Sequence, residues 1–134
     1  MSQTLDQKRA AFVWQQLEPL KRKNPAVFDA YTKLSKGAGT LIMQNGLMPT
    51  LAFYGEKSGG AASLQGGKEH ELLLGHLLTW TRQAQLLPAT VTDFQKAMAA
   101  LVIKTSPEYR AISEECLALI RWIRHFASAL NKTE

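Results

Sequence analysis

The sequence predicts an all-α protein folded as a single compact bundle of about six helices. Three observations carry this. Apolar residues recur at spacings of three and four along most of the chain. Helix-start and helix-stop residues punctuate those runs at matching positions. No segment alternates apolar and polar residues as a half-buried strand would. The 134 residues suit one domain spanning 1–134, with roughly two-thirds of the unfolded surface buried on folding.

The first helix starts after Thr4. Thr4 and Gln7 have capping-box spacing, and Asp6 suits the positive end of the helix dipole. Leu5, Phe12, Val13, Leu17 and Leu20 form a helical stripe. Pro19 lacks an N–H and disfavours a helical Glu18, so it is expected to kink or end this helix. Lys21, Arg22 and Lys23 follow as a basic run.

Asn24 then caps and Pro25 takes the first position of the second helix. Its stripe is Val27, Tyr31, Leu34, Ala38, Leu41 and Ile42. Gly37 and Gly39 cost it roughly 1 kcal/mol each relative to Ala, and mark a bend or a close helix contact. The dipeptide Asn45-Gly46 would signal a hairpin between alternating flanks, but its flanks do not alternate. It reads instead as a helix end, with Gly46 left-handed and Leu47 packing back on the last turn. Pro49 is tolerated in the first turn of a third helix carrying Leu51, Ala52, Phe53 and Tyr54.

Ser58 to Lys68 holds four glycines with Ser and Ala and reads as a flexible loop. It is not a phosphate-binding P-loop, since no strand precedes it and no GK[ST] follows. A fourth helix is expected over Glu69–Leu87, with Leu72, Leu73, His76, Leu77, Trp80 and Ala84 inward and Pro88 just beyond. Thr90 or Thr92 caps a short fifth helix with Phe94, Ala97, Met98 and Leu101 on its core face. Ser106, Pro107 and Glu108 open the sixth as cap, first-turn proline and first-turn acid.

In that last helix Ile112, Cys116, Leu119, Ile120, Ile123, Ala127 and Leu130 share one face. Arg110, Arg121, Arg124, His125 and Lys132 fall largely on the other, with Glu114 placed to pair with Arg110 or Arg121. Trp122 and Phe126 flank the apolar stripe, either widening the buried face or standing at a contact surface. The charged face is a solvated surface or a basic strip for an acidic partner or a nucleic-acid backbone.

The formal charge of +5 favours polyanionic partners without establishing one. The N-terminus lacks a signal peptide's apolar core and no run is long enough to span a bilayer, so a cytoplasmic protein with no membrane partner is expected. Catalytic chemistry is not in view. Cys116 is alone, so it can form neither an internal disulfide nor a cysteine-based zinc cluster, and its place on the apolar face reads as a buried inert thiol. His70 and His76 lack the i, i+4 spacing of helical metal ligands, and no carboxylate pair stands out. No catalytic residue, metal or cofactor is expected.

Two segments carry a family resemblance: YTKLSKGAGTLIMQNGLMPTLAFYGEK, Tyr31 to Lys57, and SPEYRAISEECLALIRWIRHFASAL, Ser106 to Leu130. The first runs from a tyrosine into an Asn45-Gly46-Leu47 cap and a Leu51-Ala52-Phe53 helix. The second holds Tyr109-Arg110, Glu115, Leu119, Trp122, Ile123, Arg124, Phe126 and Ala127. Leu77-Leu78-Thr79-Trp80 adds a weaker match. Together they resemble the small α-helical (fifth) subunit of the Cmr complex, the type III-B CRISPR RNA-guided effector. The chain departs from that family at Gly37-Ala38-Gly39, where a proline is frequent.

The resemblance implies a non-catalytic subunit of an antiviral RNA-targeting ribonucleoprotein. Copies would associate head to tail in a minor filament beside the backbone and large subunits, and would help line the channel for guide RNA and target RNA. The motifs do not fix which residues meet RNA, so charge selects the candidates. These are Arg110, Arg121, Arg124 and Lys132, then Lys21, Arg22, Lys23, Lys33 and Lys36. Two other classes fit the residues: a free-standing basic helical nucleic-acid-binding protein, and an enzyme or ligand-binding protein with a deep polar pocket beside the glycine-rich loop.

Overall fold

A computed structural model describes residues 2–64 and 66–132; Gln65 of the glycine-rich stretch and the remaining terminal residues of the expected 1–134 unit lie outside the described residues. Among the described residues there are six helices and no strand: α1 (Leu5–Lys23), α2 (Pro25–Asn45), α3 (Leu47–Lys57), α4 (Glu69–Gln83), α5 (Phe94–Leu101) and α6 (Ser106–Asn131).

One hydrophobic cluster draws residues from every helix. The α6 stripe lies at its centre, with Ile112, Cys116, Leu119, Ile120, Ile123 and Ala127 all buried and Leu130 partly so. Parallel to α6 lies α1, tied to it near its start by Arg9–Glu115 and near its end by Lys21, whose ammonium donates to the Leu130 carbonyl. On the other flank α2 is antiparallel to α6, with Gly39 near Leu117 and Ile120, and Asp29 bonded to Asn131. Inside the bundle the Tyr31 hydroxyl and His76 Nδ1 share a 2.7 Å hydrogen bond joining α2 to α4.

Several local expectations change. Pro19 does not end α1, which continues through the basic residues to Lys23. The hydrogen bond that Pro19 cannot donate would have gone to the Gln15 carbonyl, and Gln15 is exposed, so water can replace it. Leu5 is half exposed and outside the core, whereas Phe28, off the expected α2 stripe, is fully buried. Gly46 joins α2 to α3 with φ 96° and ψ 163°, a positive-φ extended state rather than the left-handed helical one. Its N–H still bonds the Ile42 carbonyl at 2.8 Å, and Leu47 is buried as expected.

Helix α4 stops at Gln83 instead of Leu87. Gln85 takes φ 62°, its N–H bonds the Arg82 carbonyl at 3.0 Å, and the Leu86 N–H bonds the Thr81 carbonyl at 2.9 Å. That is a Schellman ending without its usual glycine, which hid it in the sequence. The α5 cap is Asp93, not Thr90 or Thr92: its carboxylate accepts from the Lys96 N–H at 2.9 Å. The α6 cap is Thr105, not Ser106; Thr105 and Glu108 form a reciprocal capping box.

The glycines with close neighbours are not the expected pair. Gly37 faces open space, and a Cβ on Gly39 would make only ordinary 3.9 Å contacts. A Cβ on Gly75 would instead lie 2.3 Å from the Ser63 carbonyl oxygen, so the glycine-rich connection packs its backbone directly on α4.

Candidate nucleic-acid interface

The nine basic candidates do not form one strip; the fold distributes them over several places. Lys36 from α2 meets Arg121 and Arg124 from α6 in a groove of about 290 Å³, whose lining also includes His125, Thr40 and Met43. Two features open this groove. Gly39 adds no side chain to the floor between α2 and α6, where Leu117 and Ile120 lie at ordinary contact distance, and the exposed α6 face turns its cations toward solvent. Arg121, Arg124 and Lys36 are all exposed, and among the described residues none forms a salt bridge. Cations at rest without ion-pair partners, on the rims of one groove and beside hydroxyls, suit successive phosphates of a nucleic-acid backbone.

The other candidates sit elsewhere. Arg110 lies toward the start of α6, in a shallow depression with Met48, Val102 and Tyr109. Lys132 caps the other end of α6. Arg22 pairs with Glu18 at 3.2 Å and Lys33 with Asp29 at 3.1 Å, each within one helix. Such exposed pairs contribute little to stability, but they partly neutralise the cation. Lys21 donates to the Leu130 carbonyl near the end of α6. Lys23 borders a hollow of about 350 Å³ between α1 and the glycine-rich segment. Among the described residues Lys23 is the one titratable side chain in that lining, beside Gln15, Gln16 and Asn24. Glu114 forms no ion pair with Arg110 or Arg121 among the described residues.

Several residues of the α6 sequence pattern have structural tasks. The Tyr109 hydroxyl accepts from the Met48 N–H at 2.9 Å, satisfying an orphan donor at the start of α3, where Gly46 offers no side-chain cap. Glu115 accepts from Arg9 of α1 at 2.6 and 2.8 Å and from Trp80 Nε1 of α4 at 2.8 Å. Arg9 also bonds Asp6 at 2.8 Å, and Asp6 accepts from Trp122 Nε1 at 3.2 Å. This chain of bonds locks three helices and sets the angle at which α6 presents its cations. The Arg9 hydrogen bonds hold the Glu115 carboxyl below its usual range. Asp6 is also held low, first by Trp122, then by Arg9, with a small contribution from Arg121.

Two further residues of the groove, His125 and Met43, are not among the nine. His125 is legible in the sequence as part of the polar α6 face, but Met43 joins the groove only through packing of α2. Among the described residues no cluster could hold a metal ion, and no helix is long and apolar enough to cross a membrane. Cys116 is buried, and burial pushes its thiol up to about 12, as an inert core residue requires.

A family model described as CRISPR-associated protein (Cas_Cmr5) matches residues 5–130, from the first residue of α1 to the penultimate residue of α6.

Proposed function

The chain belongs to the Cmr5 family of type III-B CRISPR complexes, and from that membership we propose that it is a non-catalytic structural subunit of the RNA-targeting ribonucleoprotein. In this reading it is one cytoplasmic domain whose glycine-rich segment supplies local slack. Copies stack head to tail as the minor filament against the backbone and large subunits. The filament helps line the channel for guide and target RNA in antiviral defence.

The observation that carries the RNA role is the convergence of Lys36, Arg121 and Arg124 on one groove between α2 and α6. Phosphate contacts from these cations give affinity without sequence choice, and pairing to the guide supplies the choice. Arg110, Lys132 and Lys23 extend the positive surface, while Lys21 ties α1 to α6 and the exposed Arg22 and Lys33 are partly neutralised by Glu18 and Asp29.

The test is charge reversal at Arg121 and Arg124 together, in the assembled complex. Target-RNA affinity should fall, and the slope of log affinity against log salt should flatten by roughly 0.7 for each single-strand phosphate no longer neutralised. An unchanged affinity and slope would mean that the groove is merely solvated.

A further inference from the structure

We propose that Trp14 is a stacking platform for an unpaired RNA base, on the opposite flank of α6 from the cationic groove. The proposal rests on the RNA reading above and adds a second kind of contact to it.

Trp14 stands on α1 with 48% of its surface exposed, unusual for so large an aromatic side chain. It is not loosely held. Its ring meets Phe126 edge-on, with centroids 5.7 Å apart and planes at 81°. Phe126 in turn lies 5.3 Å from Trp122, whose Nε1 donates to Asp6 at 3.2 Å. The result is a preorganised aromatic tray whose outer member is open to solvent.

The tray adjoins the groove through α6 itself. At about 100° per residue, Arg124, Arg121, His125, Trp122 and Phe126 follow one another around the outer half of the helix. The belt begins on the α2 flank with Arg124, in the groove, and ends on the α1 flank with Phe126, against Trp14. A helix with its side chains is about 10 Å across, a short reach for an extended nucleotide strand. Phosphates would sit on Arg121, Arg124 and Lys36 while one base turns over α6 onto Trp14.

The charges around the tray permit this. Asp6, bonded to Trp122, and Glu18, one turn beyond Trp14 on α1, are already paired, with Arg9 at 2.8 Å and Arg22 at 3.2 Å. These pairings lessen the repulsion that a polyanion meets there. Bases stack on aromatic rings whatever their identity, in keeping with a protein that does not choose sequence. A base inside a duplex hides both faces, so the ligand is unpaired RNA.

The experiment uses the assembled, guide-loaded complex carrying Trp14→Ala, Trp14→Phe or the paired change R121E/R124E. Its probes are the target RNA and a series of the same RNA with single abasic positions. Trp14→Ala should weaken target binding about tenfold, with an unchanged salt slope, and Trp14→Phe should weaken it less. An abasic position that meets one copy's Trp14 should reproduce that copy's share of the loss in the unmodified complex and cause no further loss in Trp14→Ala. If Trp14→Ala binds like the unmodified complex while R121E/R124E binds weakly, the stacking site is wrong and the groove reading stands. If neither variant alters binding, both fail. If Trp14→Ala lowers the yield of assembled complex but not its RNA affinity, the tray contacts a protein and the proposal is overturned.

Discussion

The Arg9 guanidinium and the Glu115 carboxylate form a two-bond ion pair, at 2.6 and 2.8 Å, that joins the first helix to the last across 106 residues of chain. Both side chains are largely shielded, at 16% and 11% exposure, and Trp80 donates a third bond to the same carboxylate. A pair this screened from water depends on both partners, because removing one leaves the other charge desolvated and unanswered.

Glu115→Gln should therefore destabilise the fold by about 2 kcal/mol, less than a fully buried pair would lose. Chemical denaturation checks this. The pair also carries a pH signature. Hydrogen bonding from Arg9 lowers the folded carboxyl below its ordinary 4.5, so its contribution is complete above 4.5 and is lost as pH falls through the lower folded value. Glu115→Gln should remove that part of the acid sensitivity.

His76 should dominate at milder pH. Burial pushes its imidazole from 6.5 to about 3, so the unfolded chain takes up a proton that the folded chain refuses. Stability from this residue is full above 6.5 and declines below it, by up to about 1.4 kcal/mol per pH unit. Denaturation midpoints of the protein and of His76→Gln, compared between about pH 7 and about pH 5, should show a flatter dependence in the variant.

Tyr54 has a fully buried hydroxyl with no hydrogen-bond partner among the described residues. Tyr54→Phe removes an unsatisfied group without opening a large cavity. It should raise stability by about 1 kcal/mol, read as a higher denaturant midpoint with an unchanged slope.

Two glycine-to-alanine changes should move in opposite directions. Gly37 lies in open space in the interior of α2, so alanine should stabilise by roughly 0.5–1 kcal/mol. At Gly75 the new methyl would meet the Ser63 carbonyl oxygen at 2.3 Å, which forces the backbone of the connection away from α4. Gly75→Ala should destabilise by about 2 kcal/mol and raise amide exchange across residues 61–64.

Helix periodicity makes the α6 stripe readable from the residues alone, since seven apolar positions on one face admit few other arrangements. The capping box at Thr4 and the Asn24-Pro25 start are equally legible, and both occur as read. Elsewhere a tertiary contact or an unusual residue replaces the usual local cue. The Thr81 carbonyl accepts bonds that close α4 without a glycine, and Tyr109 caps α3 from a distant helix. Neither can be seen from neighbouring residues.

The candidate site divides along the same line. Composition and the α6 pattern show that Arg110, Arg121, Arg124 and Lys132 avoid the core. They do not show that Lys36 joins Arg121 and Arg124, while Lys21 bonds the end of α6 and Arg22 and Lys33 pair with carboxylates of their own helices. Helix identity, the buried faces and most helix starts are legible in the residues alone, because side chains within about four residues of one another decide those. Which cations share a groove, which carboxylates are already paired and which tryptophan stays open to solvent were decided by the tertiary structure alone. Those outcomes depend on how helices far apart in the chain pack, and no local pattern encodes that geometry.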